Sequence, residues 1–294
     1  MKKYIIGLGC SWTQGEGGYT EEVWKQYNGR PQMALRCQDD YVLRAMEHEN
    51  SWVNVLCRDH FPDHTPINLG SKGTGNRAAV HQLHFCDKVD FENSTGIIVL
   101  MLSGFERFDY FQQHPLGSDG HDDGYSNSDY RHYKWRTMWP HEGCDSQERP
   151  IWDAYARLLW SEQFVASEQM MALLDLQTFA KAHGYKVVVA NGFNQRTESI
   201  REYFTENTGA LSNKFDWANT YLHETTDYSA FVQKLVELDG LIPANEWQGF
   251  HQYYFNRNWP AKYRTNCEGA HPTLEGYKVI GEELAKFIKL RGYV

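Results

Sequence analysis

Short, continuously apolar runs alternate along this chain with longer segments in which apolar residues recur every three or four positions. Apolar runs of this kind are typical of parallel strands buried on both faces. They predict strands at residues 3–9, 67–69, 96–102 and 186–190. The helical spacing predicts helices at residues 33–47, 51–61, 76–85, 152–183 and 273–290. Strands that alternate with helices indicate an α/β fold with helices on both faces of a parallel sheet.

Three polar segments interrupt this rhythm, and we interpret them as insertions into a single domain that covers residues 1–294. They lie near residues 16–48, where residues 16–32 are expected to be irregular, and near residues 108–150 and 193–260. Residues 108–150 are too many for an ordinary connection, which favours an insertion or a lid. Its histidines and aspartates fit no defined metal-binding loop, so we expect no metal there (His114, Asp119, His121, Asp122, Asp123).

Composition narrows the classes of function. The formal net charge of −9 disfavours unspecific binding to nucleic acid or to an anionic membrane. No run approaches the ~20 apolar residues of a membrane helix, and no signal-peptide pattern follows Met1. We therefore expect a cytoplasmic protein or one associated with a virion. The six cysteines form no CxxC pair, which predicts free thiols.

The strongest candidate for chemistry is Ser11, which follows the first predicted strand and lies between Gly9 and Gly15. A strand that ends in a glycine-flanked serine can hold the hydroxyl at the edge of a sheet. Near the other end of the chain, His271 follows Glu268 by three residues, and a serine with a distant histidine suggests a hydrolase site. The alternative interpretations are a helix-capping or phosphate-binding serine and a surface histidine.

Three sequence blocks carry a resemblance to a known family. The first is Gly9-Cys10-Ser11-Trp12-Thr13-Gln14-Gly15, the second is Asn68-Leu69-Gly70-Ser71-Lys72-Gly73, and the third is Glu268-Gly269-Ala270-His271-Pro272. In this order they resemble the SGNH (GDSL-type) hydrolase superfamily, particularly its divergent bacteriophage-like branch. The resemblance covers roughly residues 3–15, 51–107, 168–192 and 266–291. It implies a flavodoxin-like α/β/α sandwich with about five parallel strands, and hydrolysis of carboxylic esters, often acetyl groups on carbohydrates.

The resemblance also implies a role for each matching residue. Ser11 would be the nucleophile, His271 the general base, and Glu268 the residue that orients His271. The backbone N–H groups of Ser11 and Gly73 would form the oxyanion hole, and no cofactor would be needed. Cys10 occupies the position of the family's usual aspartate.

The block that follows the third strand departs from the family pattern. The family's oxyanion-hole asparagine aligns with Phe105, which cannot donate a hydrogen bond. Either Ser103, Asn76 or Arg107 replaces that donor, or the hole has only two donors; losing one such donor typically costs ~100–1000-fold in rate. The alternative role for Asn76 is a helix N-cap, and the alternative role for Arg107 is a surface ion pair. Trp12 and Arg107 are the predicted substrate-binding residues.

Two main hypotheses of function follow. The first is a serine esterase that acts on a small-molecule or glycan ester. The second is a binding protein on a catalytically degenerate scaffold, which the missing asparagine favours. In such a protein the tryptophans in the insertions could stack on sugar rings; the alternative is that they pack the insertions onto the core. Hydrolysis of a thioester, an amide or a nucleotide-derived signal is a weaker third option. The sequence does not select the substrate or the oligomeric state.

Overall fold

The computed structural model describes residues 1–26, 41–71, 74–104, 107–113, 133–138, 149–191, 200–220, 272 and 274–294. The strands in these ranges are β1 (Lys2–Leu8), β2 (Thr65–Asn68), β3 (Ser94–Leu102), β4 (Phe108–Gln113), β5 (Tyr133–Met138) and β6 (Lys186–Asn191). The helices in the first half are α1 (Ser11–Gln14), α2 (Glu21–Gln26), α3 (Tyr41–Asn50), α4 (Trp52–Val55) and α5 (Asn76–His81). The later helices are α6 (Arg149–Ala154), α7 (Glu162–Ala182), α8 (Ile200–Thr208), α9 (Trp217–Thr220) and α10 (Leu274–Leu290).

Four parallel strands form the central sheet in the order β2-β1-β3-β6. The predicted parallel sheet is therefore confirmed, with four strands in the described ranges where about five were expected. The chain passes from β1 to β2 on one side and returns to β3 on the other, as in the flavodoxin-like winding. The crevice at the carboxyl ends of β1 and β3, where the strand order reverses, is the usual position of a ligand in such sheets.

Apolar side chains from both faces of the sheet enter two separate cores, because successive strand residues point to opposite faces. On one face, Ile97, Val99 and Met101 pack with residues of α4 and α10. On the other face, Ile98, Leu100 and Leu102 pack with residues of α5, α7 and α8. Two buried helical layers around one sheet give the three-layer α/β/α sandwich that the resemblance implied.

The helices differ from the sequence prediction in two places. The segment 16–32 was expected to be irregular, but it contains α2. The expected long helix at 152–183 is interrupted: α6 ends in a π turn at Tyr155–Leu159, and α7 starts after Ser161. The Ser161 hydroxyl oxygen accepts a hydrogen bond from the backbone N–H of Phe164 and so caps the second helix.

The insertion at 108–150 contains an element that the sequence pattern did not predict. Strands β4 and β5 pair as an antiparallel ladder, with Phe108 opposite Met138 and Gln113 opposite Tyr133. The hairpin is a separate two-stranded sheet. Two stretches of the insertions lie outside the described residues: a short helix that the sequence also predicts at 229–238, and the histidine- and aspartate-rich stretch at 114–123.

The described thiols and helices bear on two further expectations. Cys10, Cys57 and Cys86 are free thiols, as predicted for these three. Burial, together with the negative charge of Asp63, raises the pKa of the Cys57 thiol to about 12. Within the described ranges, no helix combines the length and the apolar character needed to cross a membrane.

Candidate functional site

Ser11 lies in a tight turn that links β1 to the one-turn helix α1. Gly9 has a φ of 146°, and a Cβ at this position would lie 2.9 Å from the carbonyl oxygen of Met101, so glycine is required there. Ser11 is the first residue of α1, and the N–H of a first-turn residue has no acceptor within its helix. The Thr13 hydroxyl donates back to the Leu8 carbonyl over 3.2 Å, which fixes the angle between strand and helix.

The loop after β2 runs directly beside the Ser11 turn. The N–H of Leu69 donates to the Gly7 carbonyl over 2.9 Å, and the N–H of Ser71 donates to the Gly9 carbonyl over 3.0 Å. These bonds extend the β1–β2 pairing past the end of the strand, to within two residues of Gly73. Gly73, the second predicted oxyanion donor, lies outside the described residues.

Asn68 connects this loop to α1 through its side chain. Its amide nitrogen lies 2.8 Å from the Thr13 carbonyl oxygen and 3.2 Å from that of Gln14, and its amide oxygen accepts from the N–H of Gly70 over 2.9 Å. Gly70 packs so closely that a Cβ there would lie 2.3 Å from the backbone nitrogen of Gln14. The Ser11 turn and the predicted oxyanion loop are therefore joined by direct contact.

Asn76 and Ser103, two candidates for the third oxyanion donor, bond to each other. The N–H and the hydroxyl of Ser103 both donate to the Asn76 amide oxygen, over 2.7 and 3.0 Å. The Asn76 amide nitrogen donates to the Ser103 carbonyl over 3.2 Å and to Oε1 of Gln169 over 2.8 Å. Both residues are buried. Their donors are thus engaged in a structural network that ties the start of α5 to the end of β3.

The two predicted substrate-binding residues occupy interior positions. Trp12 is fully buried in the core between the sheet and the layer of α4 and α10. It packs in this core instead of lining a surface open to substrate, because its large apolar ring is buried with apolar residues of α4 and α10. Arg107 is also buried, and its Nη1 donates to the Thr74 carbonyl over 2.8 Å. The cavity lined by Arg107, Asp109 and Gln169 has a volume of about 20 Å³, which suits one water-sized group rather than a sugar.

A buried carboxyl group supports the far end of α1. Glu47 of α3 accepts hydrogen bonds from the Tyr19 hydroxyl and, over 3.0 Å, from the side-chain nitrogen of Gln14. Burial and the neighbouring Glu47 raise the pKa of Tyr19 above its ordinary value. The phenol therefore stays protonated and continues to donate to the carboxyl group.

The C-terminal helix reaches the same turn. The hydroxyl of Tyr277, in the first turn of α10, donates to the Glu16 carbonyl over 2.7 Å, and Glu16 is only five residues after Ser11. Pro272 is buried. The predicted base His271 and its partner Glu268 lie outside the described residues, but Tyr277 follows His271 by only six positions. The start of α10 is therefore anchored next to the Ser11 turn.

Comparison with known proteins adds no relative. No protein-family model, curated protein or solved structure matches this chain. The functional assignment therefore depends on the geometry described above and on the three sequence blocks.

Several residues that shape this site were not assigned a role from the sequence. The sequence around Asn68, Glu47 and Asp109 does not distinguish them from other polar residues. Only their tertiary contacts show which segments they hold together. A partial signal existed for Asn68, because it lies in the predicted strand at 67–69 and a glycine follows it two residues later. Among the described residues, no group of three histidine, cysteine or acidic side chains is placed to hold a metal ion.

Proposed function

We propose that this protein is a serine hydrolase of the SGNH type that cleaves carboxylic esters of a small acyl group, such as an acetyl group carried on a carbohydrate. The observation that carries the proposal is the position of Ser11. It is the first residue of a one-turn helix at the carboxyl end of β1, at the reversal point of the strand order. Ser11 is 7% exposed there, at the edge of the sheet where such folds bind ligands.

In the proposed reaction, Ser11 Oγ attacks the ester carbonyl carbon while His271 accepts the hydroxyl proton. The negative charge that develops on the carbonyl oxygen is stabilised by the N–H groups of Ser11 and Gly73. The C–O bond to the leaving alcohol then breaks, and His271 returns the proton to that alcohol. Water, deprotonated by His271, attacks the acyl-enzyme and releases the acid together with free Ser11.

Two contacts support the assembly of these groups at one edge of the sheet. The bond from Ser71 to Gly9 holds the Gly73 loop beside the nucleophile turn. The bond from Tyr277 to Glu16 holds the helix that follows His271 against the residues that follow Ser11. Parts of the chain more than 250 residues apart are therefore anchored to the same short turn, which is what a site assembled from both ends requires.

The test is hydrolysis of p-nitrophenyl acetate together with covalent labelling by a fluorophosphonate, with the labelled residue located by mass spectrometry. We expect labelling at Ser11, and Ser11→Ala should lose at least about 1000-fold of turnover while it keeps the wild-type circular dichroism spectrum. Ser94→Ala is the matched control, since this buried serine bonds Tyr185 at the opposite, amino end of β3. Wild-type protein that neither turns over nor is labelled at Ser11 would refute the proposal.

A second candidate function is a binding protein on this scaffold without efficient catalysis. The observation that favours it is the mutual engagement of Asn76 and Ser103, since neither then supplies the donor that Phe105 lacks. This candidate predicts that binding of an acetylated glycan, measured by calorimetry, is the same for wild-type and Ser11→Ala protein and that no acetate is released. Acetate release that depends on Ser11 would exclude it.

A further inference from the structure

The base of the β4–β5 hairpin is attached to the loop that carries Gly73. Arg107, which directly precedes β4, is 9% exposed, and its Nη1 donates to the Thr74 carbonyl over 2.8 Å. Thr74 is the next residue after Gly73, and its own N–H donates to the Ser71 carbonyl over 3.2 Å, which closes the turn. The first residue of the hairpin segment therefore holds the carboxyl side of that turn.

Asp109 holds the same loop one step further along the chain. It is 6% exposed, and its Oδ2 accepts a hydrogen bond from the backbone N–H of Ala78 over 3.0 Å. The carboxylate also fills the space beside Gly75, where an added Cβ would lie 2.4 Å from both of its oxygens. A negative group beside the first turn of α5 is favourable because the helix dipole and its N–H groups point toward it.

These contacts complete a set of anchors around the predicted oxyanion donor. On one side, the N–H of Ser71 bonds the Gly9 carbonyl. On the other side, Arg107 and Asp109 bond Thr74 and Ala78. An oxyanion donor works only when it is held in position before the reaction, because a displacement of ~1 Å can cost up to about 100-fold in rate.

We propose that Arg107 and Asp109 are positioning residues that hold the loop between β2 and α5 in place beside the Ser11 turn, as a role of that loop in oxyanion binding requires. The inference rests on the proposed hydrolase function and extends it, since it assigns part of the 108–150 insertion to the catalytic site. Arg107 then acts through the Thr74 carbonyl and not through contact with an acidic substrate group. The start of the insertion then supports the loop between β2 and α5.

The experiment compares Arg107→Met, Arg107→Lys and Asp109→Asn with wild-type protein. Methionine keeps most of the side-chain volume and removes the donor, whereas lysine can still donate to the Thr74 carbonyl. We expect Arg107→Met to lower kcat about 10- to 100-fold with KM unchanged, and Arg107→Lys to recover part of that loss. Asp109→Asn keeps one acceptor for Ala78 and should fall between wild-type and Arg107→Met. The rate of fluorophosphonate labelling at Ser11 should fall in the same order.

Arg77→Met is the matched control, because Arg77 lies on α5 beside the same cavity but is half exposed and pairs with Glu168. It should leave kcat at the wild-type value. Wild-type protein that is not labelled at Ser11 overturns the proposed function and this inference with it. Labelled wild-type protein overturns this inference alone if Arg107→Met reacts at the wild-type rate, or if its loss is entirely in KM. Should Arg107→Met fail to fold, Arg107→Lys and Asp109→Asn decide by the same criterion.

Discussion

The Asn68 side chain allows a direct test of how the edge of the sheet holds the Ser11 turn. Its amide nitrogen lies within hydrogen-bond distance of the Thr13 and Gln14 carbonyl oxygens and, at 3.0 Å, of the Ser51 hydroxyl. Its amide oxygen accepts from the N–H of Gly70. Asn68→Ala removes all of these contacts and leaves the backbone of β2 intact.

The expected magnitude follows from the number of bonds that one amide can make. Two N–H groups and one accepting oxygen give three bonds at a time, and each contributes about 1 kcal/mol net. We therefore expect Asn68→Ala to lower the free energy of unfolding by about 3 kcal/mol. Because α1 loses its link to the β2 loop, turnover of p-nitrophenyl acetate should fall about tenfold or more.

The assay is equilibrium unfolding in urea followed by tryptophan fluorescence, paired with the rate of fluorophosphonate labelling at Ser11. Asn54→Ala is the matched control: the Asn54 amide bonds the His48 carbonyl over 2.6 Å and the Ser51 hydroxyl over 3.3 Å. It should cost about 1–2 kcal/mol and leave the labelling rate unchanged.

Asn68→Asp sharpens the test, because it keeps the acceptor for Gly70 but turns a carboxylate toward the Thr13 and Gln14 carbonyl oxygens. Asn68→Asp should lower the free energy of unfolding and the labelling rate at Ser11 at least as much as Asn68→Ala. Surface substitutions usually shift the free energy of unfolding by less than about 0.5 kcal/mol. A shift that small for Asn68→Ala would refute the stabilising link between the Asn68 side chain and α1. Equal losses of labelling rate in Asn68→Ala and Asn54→Ala would refute the link between the Asn68 side chain and Ser11.

Three further predictions concern the stability of the fold. Gly70→Ala should destabilise the protein strongly in a thermal melt, because its Cβ would lie 2.3 Å from a backbone nitrogen of α1, whereas Gly184→Ala meets nothing within 4 Å and should cost only about 1 kcal/mol. The hydrogen bond from Lys3 holds the pKa of Asp63 at about 2, against 3.8 for the unfolded chain. The contribution of Asp63 to the free energy of unfolding is therefore complete above pH 3.8 and is lost as the pH falls towards 2. Lys3→Met should make the free energy of unfolding in urea depend less on pH in this acid range. Burial and a neighbouring glutamate raise the pKa of Tyr19 above the ordinary 10.0, so its contribution is complete below pH 10 and falls by about 1.4 kcal/mol per pH unit above it. Tyr19→Phe should therefore lessen the alkaline loss of stability, and an unchanged slope would contradict this.

The central sheet was predictable because its strands can be recognised from their own short apolar runs. The run Ile97–Leu102 is apolar at every position and only six residues long, which is typical of a strand buried on both faces. The hairpin was not predictable in the same way, since β4 and β5 mix aromatic, charged and amide side chains and pair across a long intervening segment. The break before α7 carried a local signal in Ser161, a helix-capping residue, but the apolar periodicity continues through it and masks the boundary.

The candidate site was predictable only in its local part. The turn around Ser11 follows from a strand, two glycines and a serine, all adjacent in the sequence. The environments of Asn76 and Trp12 do not follow, because they depend on where α5 and α1 pack. A side-chain amide near a strand end can face the ligand or bond its neighbours, and here Ser103 and Gln169 engage it. Tertiary contacts decide between these two arrangements, and the periodicity of the sequence does not reveal those contacts.

The polar interior beside α1 bears on which of the two functions this turn serves. Glu47, Tyr19 and Gln14 are each at most 2% exposed, and they bond one another in a place where apolar side chains would pack with less desolvation cost. A network of this kind contributes little net stability, but its directional bonds specify one geometry for the helix that begins at Ser11. Buried polar groups that add desolvation cost tend to occur where function needs side chains or backbone in a fixed arrangement. A nucleophile needs such a fixed arrangement more than a binding surface does, because its reaction rate depends on the position of a single oxygen atom.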